Sequence, residues 1–201
     1  MKILLQITFL LFFTFNSIGQ DYSQDWFNGK KLRYKTNGKE KSLGLNISID
    51  YPDTWEVREG KRPHILNNII SPSSDNQAVN LVLQIKSIKD EEELRTLEQE
   101  IANPSVNSTL FSEEMTVFKA SSIKIDGIEA VLHVVAWHRK NDLTSVYMKA
   151  KSCFFIYKDK FVFVQISAGG TSEEQSNQLY EKYNILFTSI LNSIVVYNQW
   201  E

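Results

Sequence analysis

Cysteine is all but missing from this chain. One residue, Cys153, stands among 201, so no internal disulfide can form and a hydrophobic core must hold the fold. That lone thiol sits inside a strand-like run between Ser152 and Phe154, away from any helix N-terminus that would activate it, and reads as packing. Histidine is nearly as scarce, at His64, His133 and His138 only. His133 and His138 lie five residues apart on one alternating stretch, so a strand points them to opposite faces. No ligand-spaced cluster of His, Cys or carboxylates accompanies any of the three, and no metal or other cofactor is expected. Also lacking are a Gly-x-Ser-x-Gly elbow, a phosphate-binding loop and a zinc-protease helix. Charge is close to balance, with 22 basic and 24 acidic side chains, which gives no field for nucleic acid.

Long apolar runs are absent except at the start. Lys2 precedes the run Ile3 to Phe15, and Ser17-Ile18-Gly19 supplies small residues. This is the pattern of a secretory signal peptide over residues 1–19, cleaved before Gln20, and it is too short for the ~20 apolar residues of a membrane anchor. No cysteine near residue 20 offers a lipid attachment site. The expected mature protein is therefore secreted or periplasmic, with no stable membrane insertion and 21 basic against 24 acidic residues. Export without disulfides suits a bacterial envelope. Residues 20–42 read as a polar, Lys-rich and mobile N-terminal arm, with turn signals at Asn28-Gly29 and Asn37-Gly38 and with Trp26 and Phe27 available to pin it down.

Alternation then takes over. Leu45, Ile47, Ile49 and Tyr51 share one side of a strand that ends at Tyr51-Pro52-Asp53-Thr54-Trp55, after which Trp55 and Val57 fold back. Residues 65–70 and 78–88 form further strands. Asp90 caps a helix with Glu91, Glu92 and Glu93 in its first turn and Leu94, Leu97 and Ile101 inward. Asn103-Pro104 ends it, and a segment through Met115, Val117 and Phe118 leads to the Asp126-Gly127 turn. A three-strand meander follows: residues 128–137, apolar on both faces and hence covered on both, then 144–157 and 161–168. In the second strand Val146, Met148, Ala150, Phe154 and Ile156 face inward, and Tyr147, Lys149, Lys151 and Tyr157 face partly to solvent. Gly169-Gly170 turns the chain out into an amphipathic helix over 172–194, capped by Thr171 or Ser172 and buried through Leu179, Tyr180, Tyr183, Leu186, Phe187, Ile190, Leu191 and Ile194.

This order of elements, with its Tyr-Pro-x-x-Trp turn and its final meander plus helix, resembles the PsbP-like superfamily, which includes Ran-binding Mog proteins and bacterial DcrB-like envelope proteins. The resemblance spans about residues 43–196, read as one domain. It implies an α+β fold, an antiparallel β-sheet flanked by helices in an α/β/α sandwich, and a role in binding or assembly rather than turnover.

Two surfaces are candidates for such binding. One is the charged loop His138-Arg139-Lys140-Asn141-Asp142 between two long strands. The other is a concavity near Trp55, Arg58, Arg62 and His64. The function expected is a non-catalytic secreted or periplasmic binding or accessory module, with an envelope protein as its partner. The alternative is an envelope enzyme of the hydrolase class, its site assembled from residues distant in sequence.

Overall fold

The computed structural model describes residues 23–72, 77–140 and 145–200; the expected signal peptide with its cleavage point, the expected turn at Ser73-Ser74-Asp75, and Asn141 and Asp142 lie outside these. Chain order runs α1 (Ser23–Asn28), β1 (Lys31–Lys35), β2 (Ile47–Pro52), β3 (Glu56–Glu59), β4 (Ile65–Ile70), β5 (Ala78–Ser87), α2 (Glu91–Ala102), β6 (Met115–Ile125), β7 (Ile128–Lys140), β8 (Ser145–Tyr157), β9 (Lys160–Gly170), α3 (Glu173–Asn192) and β10 (Val195–Val196). Seven strands form one antiparallel sheet in the order β3-β4-β5-β9-β8-β7-β6, and three form a second in the order β1-β2-β10.

Register explains the two faces of the large sheet. Leu83, Val164, Cys153 and Leu132 lie side by side across β5, β9, β8 and β7. The first three are at most 1% exposed and join Phe187, Ile190 and Leu191 of α3 in the main core. One residue along, Gln84, Phe163, Phe154 and Val131 form the matching row on the opposite face. There Phe154 and Val131 pack with Leu97 of α2. The fold is thus the expected α+β sandwich, with β7 covered on both sides.

Both helices begin as their sequences dictate. Asp90 accepts a hydrogen bond from Glu93 N at 2.9 Å, and Ser172 accepts one from Gln175 N at 3.2 Å, each satisfying an amide that the helix itself cannot. All eight apolar positions of the 172–194 pattern are buried except the half-buried Tyr183, although the helix stops at Asn192 and Ile194 packs from beyond its end.

Several details differ from the expectations. Over its described residues, 23–42, the arm is pinned through Trp26, one of the two aromatics marked for that, but it is also more ordered than expected: β1 pairs with β2 from Lys31 opposite Pro52 to Lys35 opposite Ser48, and Tyr34 joins Trp26 in the core. Backbone pairing there outweighs the lysine-rich composition, so the folded unit starts before residue 43. Phe27, by contrast, is 67% exposed. The face of β8 expected to meet solvent instead carries Cys153 and Phe155 into the main core, because α3 lies over it. Lys151 survives under that helix by donating to Asn184 O at 3.1 Å and to Thr188 Oγ1. Gly169 and Gly170 end β9 rather than turning out of it. A Cβ on Gly169 would lie 2.7 Å from Met148 Sδ, and one on Gly170 would lie 2.8 Å from Gln175 Cβ, so they permit close approach. Cys153 is sealed in, and burial pushes its thiol up to about 12, which leaves it protonated and unreactive.

Candidate binding groove

Helix α3 is 20 residues long and α2 only 12. At 1.5 Å per residue these are about 30 Å and 18 Å of helix. Helix α3 packs mainly on β8 and β9, with the small sheet and α1 beside it on that face, whereas α2 packs mainly on β7 and β8 and leaves part of the other face bare. The bare part is a groove of about 980 Å³ over β5 and β9, walled by α2 and by the segment around Leu110, Phe111 and Ser112.

Its floor is aromatic. Phe161 and Phe163 lie two residues apart on β9, with ring centroids 6.2 Å apart and planes 15° from parallel, and Phe154 sits 5.5 Å from Phe161. The β5 side is polar, lined by Gln84 and Lys86 with His64 beside them. Lys86 places its ammonium 5.0 Å from the Phe161 centroid and pairs with Glu93 Oε1 at 2.6 Å. Glu93 also accepts from Lys89 N at 2.9 Å. These contacts hold its carboxyl below the ordinary value, the Lys86 hydrogen bond first and the Lys89 amide second. Gln165 donates to Ser152 Oγ at 2.8 Å.

Behind Phe111 lies a buried polar clasp. His133 is 0% exposed and its Nε2 meets Glu100 Oε1 at 3.0 Å. The same oxygen accepts from Ser105 N at 3.2 Å, so one carboxylate joins α2, the segment just after it and β7. Phe111 packs edge-on to the His133 ring at 5.0 Å, and Phe154 stacks on it at 5.9 Å. Burial lowers the His133 pKa below its ordinary 6.5, only partly opposed by Glu100. A depressed histidine lets the unfolded chain bind more protons. Its stabilising contribution is therefore complete above about pH 6.5 and is lost as pH falls through the folded value. In urea titrations from pH 7.5 to 5, the wild type should lose stability faster than His133→Gln; parallel curves would refute the assignment. Glu93 and Asp159, also depressed, start from 4.5 and 3.8, so their contributions fade below this window.

The residues singled out from sequence scatter. Trp55 is 6% exposed in the main core, not on a concavity, because Pro52 O accepts its amide at 3.0 Å and folds it inward. Arg58 lies on the edge strand β3 and pairs with Glu56 at 2.7 Å. Arg62 is exposed, in the loop before β4. Only His64 of that set reaches the groove. His138, Arg139 and Lys140 are not a loop but the end of β7, opposite Tyr147, Val146 and Ser145. His138 stacks on Tyr147 at 4.0 Å and meets Ser145 Oγ at 2.8 Å. Phe161, Phe163, Gln84 and Lys86 went unmarked. Part of their signal was present: alternation sets Phe161 and Phe163 on one face of β9 and Gln84 and Lys86 on one face of β5, but their meeting beneath α2 is not written in either strand. Among the described residues, no group of three or more His, Cys, Asp and Glu could hold a metal ion. No helix among them is long and apolar enough to cross a membrane.

An antiparallel sheet held between a long C-terminal helix and a short internal one is the PsbP-like fold, and the resemblance drawn from sequence holds at that level. The solution structure of cyanobacterial PsbP from Synechocystis sp. PCC 6803 aligns with a TM-score of 0.52 at 16% identity, covering 84% of this chain and 94% of that one. The Ran-binding protein Mog1p of Saccharomyces cerevisiae gives 0.49 at 10% identity, over 84% and 96% of the two chains. LpqN of Mycobacterium tuberculosis, involved in cell envelope biogenesis, gives 0.46 at 14% identity, over 86% and 95%. No protein-family model matches the chain, and no curated protein does.

Proposed function

We propose that this chain is a non-catalytic binding or accessory module of the cell envelope, exported with loss of residues 1–19 and acting through the groove under α2. The observation that carries this reading is the groove itself. Concave sites of a few hundred to about 1,000 Å³, mostly apolar with a few placed polar groups, are how folds bind ligands. Of the polar groups here, Lys86 is paired with Glu93 and Gln165 with Ser152, contacts that shape a surface rather than activate a nucleophile. Binding chemistry is therefore supported better than turnover. A fold alone assigns no function, but accessory and binding roles agree with a Ran-binding protein and an envelope-biogenesis protein of related shape.

The test is affinity capture from bacterial envelope extract with residues 20–201 as bait. Parallel baits carry Gln84→Trp, which fills the groove, or the pair His138→Ala and Arg139→Ala, which alters the other candidate surface. A stoichiometric companion lost only with Gln84→Trp supports the groove. Loss only with the His138 and Arg139 pair moves the binding surface to the end of β7. Hydrolytic turnover by the bare protein would replace the binding reading with the hydrolase alternative.

A further inference from the structure

The groove changes character across the strands. On the β8 and α2 side it is bounded by Phe154, Leu97 and Phe111; over β9 it is floored by Phe161 and Phe163; on the β5 and β4 side it offers Gln84 and His64. Two strand spacings separate Phe154 from Gln84, about 10 Å. That is an apolar end and a hydrogen-bonding end within one small-molecule length. Charge is the second observation. The cation on the floor, Lys86, is already paired with Glu93 at 2.6 Å, and Lys89 at the rim stands beside Asp90 and Glu92. An anionic head group would have to displace Glu93 and meet two further carboxylates. Backbone is the third. β5 and β9 pair residue for residue from Ala78 opposite Gly169 to Ser87 opposite Lys160, so the floor presents no open strand edge to an extended peptide.

From these observations we infer that the groove binds a small uncharged amphiphile, its hydrophobic body on the phenylalanines and its hydroxyl- or amide-bearing head at Gln84 and His64. This inference rests on the binding reading above and names its ligand class.

N-phenyl-1-naphthylamine, an uncharged apolar fluorophore, is the direct probe, titrated against residues 20–201. Saturable fluorescence enhancement is expected. It should weaken about tenfold or more, roughly 1.4 kcal/mol, in both Phe163→Ser and the groove-filling Gln84→Trp, while Phe118→Ser, beside Lys149 and outside the groove lining, leaves it unchanged. Thermal melts confirm that each variant is folded; Gln84→Trp keeps the core intact if Phe163→Ser does not. Monolaurin should then displace the fluorophore, and laurate, with the same chain and a charged head, should do so about tenfold more weakly. No saturable binding, or equal binding in Gln84→Trp, overturns the inference. Equal displacement by laurate overturns the uncharged head. If a protein companion is captured through the groove while the fluorophore never binds, the ligand class fails and the accessory role stands.

Discussion

Phe187→Ala should destabilise the protein by about 3–5 kcal/mol, the range for removing a large buried aromatic side chain and leaving its cavity. Phe187 is 0% exposed on the inner side of α3. Its ring meets Tyr180 edge-on at 5.8 Å and stacks near Tyr183 at 6.1 Å, so truncation removes aromatic contacts as well as area. The helix that carries it shares the cover of one sheet face with Ile47, Ile49 and Trp26 of the main core, so the cavity would open among side chains already packed on several sides. Total stabilities of domains run to about 5–15 kcal/mol, so the variant keeps a much reduced margin. Urea denaturation reads the loss directly. Ile185→Ala on the same helix, at a position 52% exposed, should change stability by less than about 0.5 kcal/mol. Similar losses at the two positions would mean that α3 is not seated on the sheet as described.

Gly60→Ala should cost about 3 kcal/mol, toward the upper end for overpacking. A Cβ at Gly60 would lie 2.1 Å from Ile65 O and 2.6 Å from its carbonyl carbon. Those are backbone atoms and cannot rotate away. The place is a crossing point: Gly60 N donates to Leu66 O at 3.1 Å, and Lys41 Nζ donates to Gly60 O at 2.6 Å. Beside it, β4 is irregular between Ile65 and Asn67 against β5. An added methyl must push β3 from β4 or distort that bulge. At 2–4 °C per kcal/mol for a chain of this size, the melting temperature should fall by about 6–12 °C. Gly127→Ala makes a useful comparison, since no atom stands within 4 Å of its Cβ and only its φ of +83° resists substitution; its loss should be the smaller of the two.

Much of this architecture was legible because periodicity and caps report local physics. The meander, both major helices, Asp90 and Ser172 all follow from alternation, 3.6-residue spacing and the need to satisfy the first amides of a helix. β1 was not legible, since Lys31, Arg33 and Lys35 face outward on an edge strand and only Tyr34 marks the inner side. The solvent-facing reading of β8 failed because Lys149 and Lys151 outweighed Cys153 and Phe155, although a lysine stem can lie beneath a helix while its ammonium finds acceptors. Site residues were harder still. Trp55 looked like a recognition aromatic but is core, and the groove joins β5, β9, α2 and the 110–115 segment, a juxtaposition that no local pattern carries.

The small sheet has a bearing on how the chain reaches its structure. β2 lies between β1 and β10, with Ile47 opposite Val196 and Ser48 opposite Val195, and Asp126 accepts from Val196 N at 2.9 Å. Partners so far apart in sequence meet only after long loops have closed, and such high contact order slows folding. Closure of the small sheet around β2 should therefore come late in folding, after the large sheet has brought its distant partner β10 within reach.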